Sequence, residues 1–304
     1  MNWRVKRALR HAVLCLPRGA ELYRWLAREV AGTNARMPYK WFRVLPARVE
    51  LLQARFGPQA RAQRMWCYDC GATMAAGLAM AVASDAPGLL TSRRAELSDR
   101  YCEVSRRVLA EKGPPLAEMS RAPEGRVARL LAASEGRDAV AALRAVGMTY
   151  APSHAAAQEP EWKGRIGCIF SGGTLEHYTP EELESEVAAM AQALQPGGVM
   201  SHVVDHRDHR WHADKGLSPL AHLTLSEEDF GRAFGNRLEY HNRWLRSDYA
   251  ALFTRHGFHV EGLEVIAYGP ELPPLPEARL ADPFRGRPES DYRCLVTRFV
   301  ATRP

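Results

Sequence analysis

Residues 165–171, RIGCIFS, form an apolar run with no polar alternation. A strand with one wetted face alternates; an unalternating run fits a strand covered on both faces, the centre of a parallel sheet. The next forty residues agree. Gly172 and Gly173 make a turn, Thr179 stands where an N-cap belongs, Pro180 occupies the first helical position and Glu181 and Glu182 fill the first turn. Leu183, Val187, Met190, Ala191 and Leu194 give the helix its apolar stripe, Pro196-Gly197-Gly198 stops it, and residues 199–205, VMSHVVD, read as the next strand. Strand, helix and strand within about 40 residues make a parallel βαβ unit.

The rest of the chain extends this alternation. Residues 65–70, MWCYDC, read as a strand, Gly71 as a turn and the small-residue segment 72–84 as a helix. Further strands are expected at 88–92 and 148–152, with helical spacing across 94–147 punctuated at Gly113-Pro114-Pro115. Helices are expected at about 226–235 and 247–256, and strands at 259–268 and 292–301 joined by a proline-rich connection. No internal repeat is present. The expected fold is one doubly wound α/β domain over 61–304, mostly parallel with an antiparallel final strand, preceded by a helical appendage at 1–60. In the appendage, Trp3, Val5, Leu9, Val13, Leu14 and Leu16 form one apolar stripe, and Leu22, Trp25, Leu26 and Val30 another. Basic residues lie opposite, and the stripes read as helices packed on their own domain. Pro38, Pro46 and Pro58 divide the region into short pieces.

With 304 residues, 46% of them apolar and 25% charged, the chain is neither disordered nor fibrous. No stretch approaches ~18 uninterrupted apolar residues, so no membrane span is expected. The net charge of +6 is nearly all arginine, and no basic run interleaves with aromatics as in a nucleic-acid groove. The six cysteines are scattered through apolar strings, which fits reduced thiols and a cytoplasmic protein.

Ligands in open parallel sheets sit beyond the carboxyl ends of the strands, so the residues after each strand matter most. There the sequence resembles the class I S-adenosylmethionine-dependent methyltransferases. The resemblance is carried by residues 169–205: an apolar strand, a turn with Leu175-Glu176-His177, a helix, and Leu194-x-Pro196-Gly197-Gly198 before the next strand. The tail, with a helix, Gly257-Phe258 and two closing strands, is similar too. The resemblance spans about 65–304 and implies a Rossmann-like methyltransferase sheet, S-adenosylmethionine as cofactor and a small-molecule acceptor such as a sugar or natural product. Residues 1–60 would shape the acceptor side.

Three positions depart from the family pattern. Its glycine loop, an acid followed by glycines at alternate positions, is here Asp69-Cys70-Gly71-Ala72-Thr73-Met74-Ala75, keeping the acid and the first glycine. Those glycines let the backbone approach a ligand without a Cβ in the way. The acid expected after the second strand is replaced by Ser92, Arg93 and Arg94, and the one after the third by Ser153 and His154. A lost charged hydrogen bond costs ~1.5–3 kcal/mol, roughly tenfold to a hundredfold in affinity. A second reading therefore stays open: a methyltransferase-like protein that no longer uses the cofactor in the ordinary way and serves as a binding subunit or runs another reaction. A nicotinamide-dependent dehydrogenase is disfavoured, because G-x-G-x-x-G is absent.

On the methyltransferase reading, the cofactor would lie against Asp69, Gly71, Ala72, Thr73, Ser92, Ser153 and Ser171. A base for a hydroxyl acceptor is sought after the fifth strand, in VDHRDHRWH: His209, with Asp208 or Asp205 beside it. His177, His206, Arg243 and Arg246 are the acceptor-binding candidates, the arginines for a carboxylate or phosphate. His202, His206, His209 and His212 also admit a metal reading, as does Cys67-x-x-Cys70. On a strand, however, the odd offset would send those two thiols to opposite faces, and no metal is expected.

Overall fold

The computed structural model describes residues 8, 12–26, 37–93, 96–235, 240–269 and 279–304. Among the described residues, seven strands form one sheet: β1 (Arg64–Cys67), β2 (Gly88–Thr91), β3 (Met148–Ala151), β4 (Ile166–Gly172), β5 (Leu194–Asp205), β6 (His259–Tyr268) and β7 (Cys294–Thr302). Their order is β3-β2-β1-β4-β5-β7-β6. The first five run parallel, and β7 lies antiparallel to both β5 and β6. β4 is buried along its whole length, as its unbroken apolar run requires. It pairs with β1 through Phe170 and Cys67, and with β5 through Ser171 and His202. The strand order reverses direction between β1 and β4, so the crevice of the sheet opens at their carboxyl ends.

The described helices are α1 (Gly19–Trp25), α2 (Met37–Val44), α3 (Pro46–Phe56), α4 (Ala75–Ala83), α5 (Cys102–Met119), α6 (Arg126–Ser134), α7 (Ala139–Ala145), α8 (Pro180–Ala193), α9 (Glu227–Phe234), α10 (Arg246–Arg255) and α11 (Glu289–Arg293). They cover both faces. Alternation along β1 sends Met65 and Cys67 into one core with α2 to α7, and Trp66 and Tyr68 into the other with α8 and α10. Trp41, Phe42, Leu45, Val49 and Leu52 of α2 and α3 belong to the first core, sharing it with the sheet. α4, built of alanine and glycine with a few larger residues, is buried all round. A Cβ at Gly77 would come 2.2 Å from Leu143 Cδ2, so glycine there sets how closely α4 meets α7.

The crossover into α8 forms as its sequence dictates. Thr179 Oγ1 accepts the Glu182 N–H at 3.2 Å and Glu182 Oε2 accepts the Thr179 N–H at 3.0 Å, a reciprocal cap. Three local expectations need correction. Gly113-Pro114-Pro115 does not punctuate: α5 runs through both prolines. Val108, Leu109, Gly113 and Leu116 are buried on that helix, and packing outweighs the lost amide donors. Pro196-Gly197-Gly198 lies inside β5, where Gly197 N–H bonds Arg303 O and Arg303 N–H bonds Gly198 O. In the N-terminal stripes, Leu16, Leu22 and Trp25 are exposed, while Trp3, Val5, Leu9 and Val30 lie outside the described residues. Among the described residues no helix is long and apolar enough to cross a membrane.

Candidate active site

At the end of β1 the chain turns sharply. Asp69, with φ of 60°, is held in the left-handed region, and Gly71, with φ of 77°, comes two residues later. Asp69 Oδ1 accepts the Ser92 hydroxyl at 3.2 Å and the Arg93 N–H at 3.3 Å, tying the bend to the end of β2. Ala72 is buried and its carbonyl accepts the Ser98 N–H at 3.0 Å. Thr73 is fully buried, and its hydroxyl has no protein hydrogen-bond partner. Such an atom is costly unless something satisfies it.

The N-terminal part of the chain reaches this bend. A Cβ on Gly71 would meet Met37 Cε at 3.8 Å. Lys40, also on α2, donates from Nζ to the Gly172 carbonyl at the end of β4. A Cβ on Gly172 would come 2.9 Å from Lys40 Cε, so glycine makes room for the lysine stem. Burial lowers the Lys40 ammonium pKa, while the charges of Glu176 and Asp69 pull it back up. α2 thus meets both sides of the switch point, with Met37 beside the bend after β1 and Lys40 bonded to the end of β4.

On the β4–β5 side lies a cluster of imidazoles. His177 comes from the short turn Leu175–His177 after β4, and His209 from the segment after β5; their rings are 4.8 Å apart. His209 lies 4.5 Å from His241 and 5.4 Å from His212, and His241 lies 5.1 Å from His222. Burial, and then the neighbouring His241 and His177, push the His209 pKa down to about 2. His209 is therefore neutral near pH 7, and a weak base.

A single asparagine braces the β4 turn. Asn242 N–H bonds the Glu176 carbonyl at 2.6 Å, and its side-chain amide donates to Leu175 O at 3.2 Å and Tyr178 O at 3.0 Å. Its Oδ1 accepts from Tyr249 OH and from the Trp244 N–H, both at 3.0 Å. The same segment holds the β5 loop: His241 donates from Nδ1 to Asn242 O at 3.0 Å and accepts the His209 N–H on Nε2 at 3.4 Å.

The structure brings together Asp69, Gly71, Ala72, Thr73 and Ser92 on one side, and His177, His209 and Asp205 on the other. Asp205 and the remaining sequence candidates are engaged by other partners. Asp208 is fully buried in an ion pair with Arg210 and caps the turn at its N–H. Asp205 gives both oxygens to Arg207 at 2.7 Å; burial raises its pKa, but Arg207 and His212 outweigh this and hold it low. His206 is buried between Trp244 O and Thr297 Oγ1, its pKa lowered by burial to about 4. Ser171 bonds His202 Nδ1 at 2.8 Å inside the sheet, and Ser153 is exposed and caps the Ala155 N–H. Arg243 pairs with Glu227 and packs over the rings of Phe230 and Phe284, and Arg246 lies against Asp291 and Ser290.

The two thiols do not part to opposite faces. β1 ends at Cys67 and the left-handed Asp69 redirects the chain, so Cys67 and Cys70 enter the same core. Burial raises both thiol pKa values well above the usual range, which leaves them unreactive. Beyond the third strand, His154 is buried between Thr91 Oγ1 at 2.6 Å and Tyr178 OH at 2.9 Å and stacks on Tyr68.

Sequence reasoning missed Lys40, Glu176, His241 and Asn242 as site residues. Nothing local ties Asn242 to a turn 64 residues earlier. Lys40 meets Gly172 across 132 residues.

No family model matches the chain, and no curated protein matches it significantly. Among solved structures, an S-adenosylmethionine-dependent methyltransferase from Mesorhizobium loti is 15% identical, covering 84% of this chain and 96% of its own, with a TM-score of 0.39. A geranyl diphosphate methyltransferase solved with SAM is 13% identical, covering 96% and 94%, with a TM-score of 0.43. Phosphoethanolamine N-methyltransferase 2 of Haemonchus contortus is 14% identical, covering 85% and 52%, with a TM-score of 0.44. At such values the weight falls on the chain's own topology. That topology, five parallel strands ordered β3-β2-β1-β4-β5 and closed by the antiparallel pair β7 and β6, is a Rossmann-like doubly wound α/β fold.

Proposed function

We propose that this protein transfers a methyl group from S-adenosylmethionine to a small-molecule acceptor. The observation that carries the reading is the bend after β1, where Gly71 takes φ of 77° and the buried Thr73 hydroxyl has no protein partner. Both features suit a ligand laid against the backbone at the switch point. The bound cofactor supplies an electrophilic methyl carbon.

Gly71 and Ala72 would admit the cofactor close to the main chain, and Thr73 would give it a hydroxyl to bond. Ser92 and Asp69 would contact its ribose, and Asp69 also accepts hydrogen bonds from Ser92 and the Arg93 N–H within the protein. Lys40 offers an ammonium group for the amino-acid carboxylate. On the acceptor side, His177 and His209, from the segments after β4 and β5, would meet the acceptor. A neutral His209 would accept a hydrogen bond from an acceptor hydroxyl and fix its direction; its low basicity makes orientation its larger contribution. Asp205 and Asp208, each paired with an arginine, would hold that loop in place.

Titration calorimetry with S-adenosylmethionine and with its demethylated product tests the reading. Saturable binding at micromolar strength supports it. Silence at millimolar cofactor overturns it in favour of a methyltransferase-like protein with another use.

A further inference from the structure

We propose that Glu176, His177 and His209 form a binding site for a divalent transition-metal ion at the carboxyl edge of β4 and β5. One donor atom from each lies within 4.8 Å of the other two. An ion held at ~2.0–2.2 Å from each donor needs separations of about 3–3.5 Å, within reach of small side-chain rotations. Two imidazoles and one carboxylate suit zinc, cobalt, iron or manganese rather than calcium or magnesium.

The surroundings orient these donors. His177 Nδ1 faces the Tyr240 carbonyl at 2.9 Å and must donate to it, which places the ring's lone pair on Nε2. A backbone carbonyl fixing the tautomer in this way is the usual support behind a ligating histidine. Asn242 grips the turn that carries Glu176 and His177, and through His241 it also holds the His209 backbone. One segment thus registers all three donors against each other.

A second triad, Asp205, His209 and His212, shares the central histidine and has the same spacing. It is the weaker cradle. Both Asp205 oxygens are engaged by Arg207, and His212 is exposed. Three protein donors leave coordination positions for a ligand oxygen. On the methyl-transfer reading, which this role rests on, an acceptor hydroxyl, carboxylate or phosphate would fill them and be held and acidified by the ion. His209 would then act as a ligand.

The test titrates full-length, chelator-stripped protein with Co2+, following its visible absorption and the heat of binding. One ion per chain at micromolar strength is expected. His177→Ala and His209→Ala should each weaken binding by about tenfold or more, as should the volume-conserving Glu176→Gln, and His212→Ala should change it little. Circular dichroism verifies that each variant is folded. Unchanged affinity in folded His177→Ala and His209→Ala, loss confined to His212→Ala, or no saturable uptake below millimolar Co2+ would each overturn the site. Calorimetry with S-adenosylmethionine, with and without Co2+, separates the two proposals. Cofactor binding without metal uptake removes only this site, whereas metal uptake without cofactor binding leaves the site and removes the methyl-transfer reading.

Discussion

Asn242 donates its backbone N–H to the carbonyl of Glu176 at 2.6 Å, so a residue ahead of α10 fixes the turn after β4. With its side chain it makes a clamp of further bonds to Leu175, Tyr178, Tyr249 and Trp244. Asn242→Ala leaves several buried groups without partners. A loss of about 2–4 kcal/mol of stability is expected, at ~1–3 kcal/mol for each group left unsatisfied and with partial relaxation. Denaturant unfolding measures it; a loss below half a kcal/mol (order of magnitude) would show that the clamp is not what holds the turn.

At Gly71 a side chain has space but not the backbone conformation. A Cβ there meets nothing nearer than Met37 Cε at 3.8 Å, whereas φ of 77° strains any L residue. Gly71→Val should cost about 1–2 kcal/mol of stability and abolish cofactor binding in a protein that remains folded. Retained affinity for S-adenosylmethionine in that variant would move the cofactor away from this bend.

Lys40 is expected to contribute to cofactor affinity. Lys40→Met keeps much of the stem and removes the charge. Loss of one charged hydrogen bond predicts about tenfold to a hundredfold weaker binding by calorimetry. An unchanged constant would assign Lys40 to holding Gly172 alone.

His209→Ala should leave S-adenosylmethionine affinity within about threefold and lower turnover by roughly ten- to a hundredfold once an acceptor is in hand. Steady-state kinetics paired with calorimetry separates the two effects. A wild-type rate would remove His209 from the acceptor side.

Buried neutral histidines make stability depend on acid. Burial holds His154 and His202 at about 3 and His206 at about 4, against about 6.5 for an unfolded chain. The folded values are depressed, so between these limits the unfolded state binds more protons. Stability is therefore complete above about pH 6.5 and is lost as pH falls toward 3–4, each group contributing up to ~1.4 kcal/mol per pH unit. Urea unfolding at pH 7, 6 and 5 should show this slope, reduced by about one proton in His202→Asn. Equal stability at pH 7 and 5 would contradict it.

Much of this molecule is local in origin. The unalternating run at β4, the reciprocal cap of Thr179 and Glu182 and the stripe of α8 arise from nearest neighbours, and these define a parallel sheet and the edge where its ligands bind. The turn at Gly71 was legible for the same reason, since few residues tolerate left-handed backbone, whereas Asp69, expected in the strand, bends the chain two residues sooner. Other features depended on contacts far apart in sequence. That α5 survives two prolines depends on what covers it, and that Asp208 serves Arg210 depends on how the loop after β5 folds back. Lys40 reaches Gly172, and Asn242 reaches Tyr178, only because the sheet places their segments side by side. Sequence pattern determined the elements and the edge, since backbone preference and periodicity act over a few residues. Tertiary packing decided which side chains meet there, because burial and charge pairing act through space.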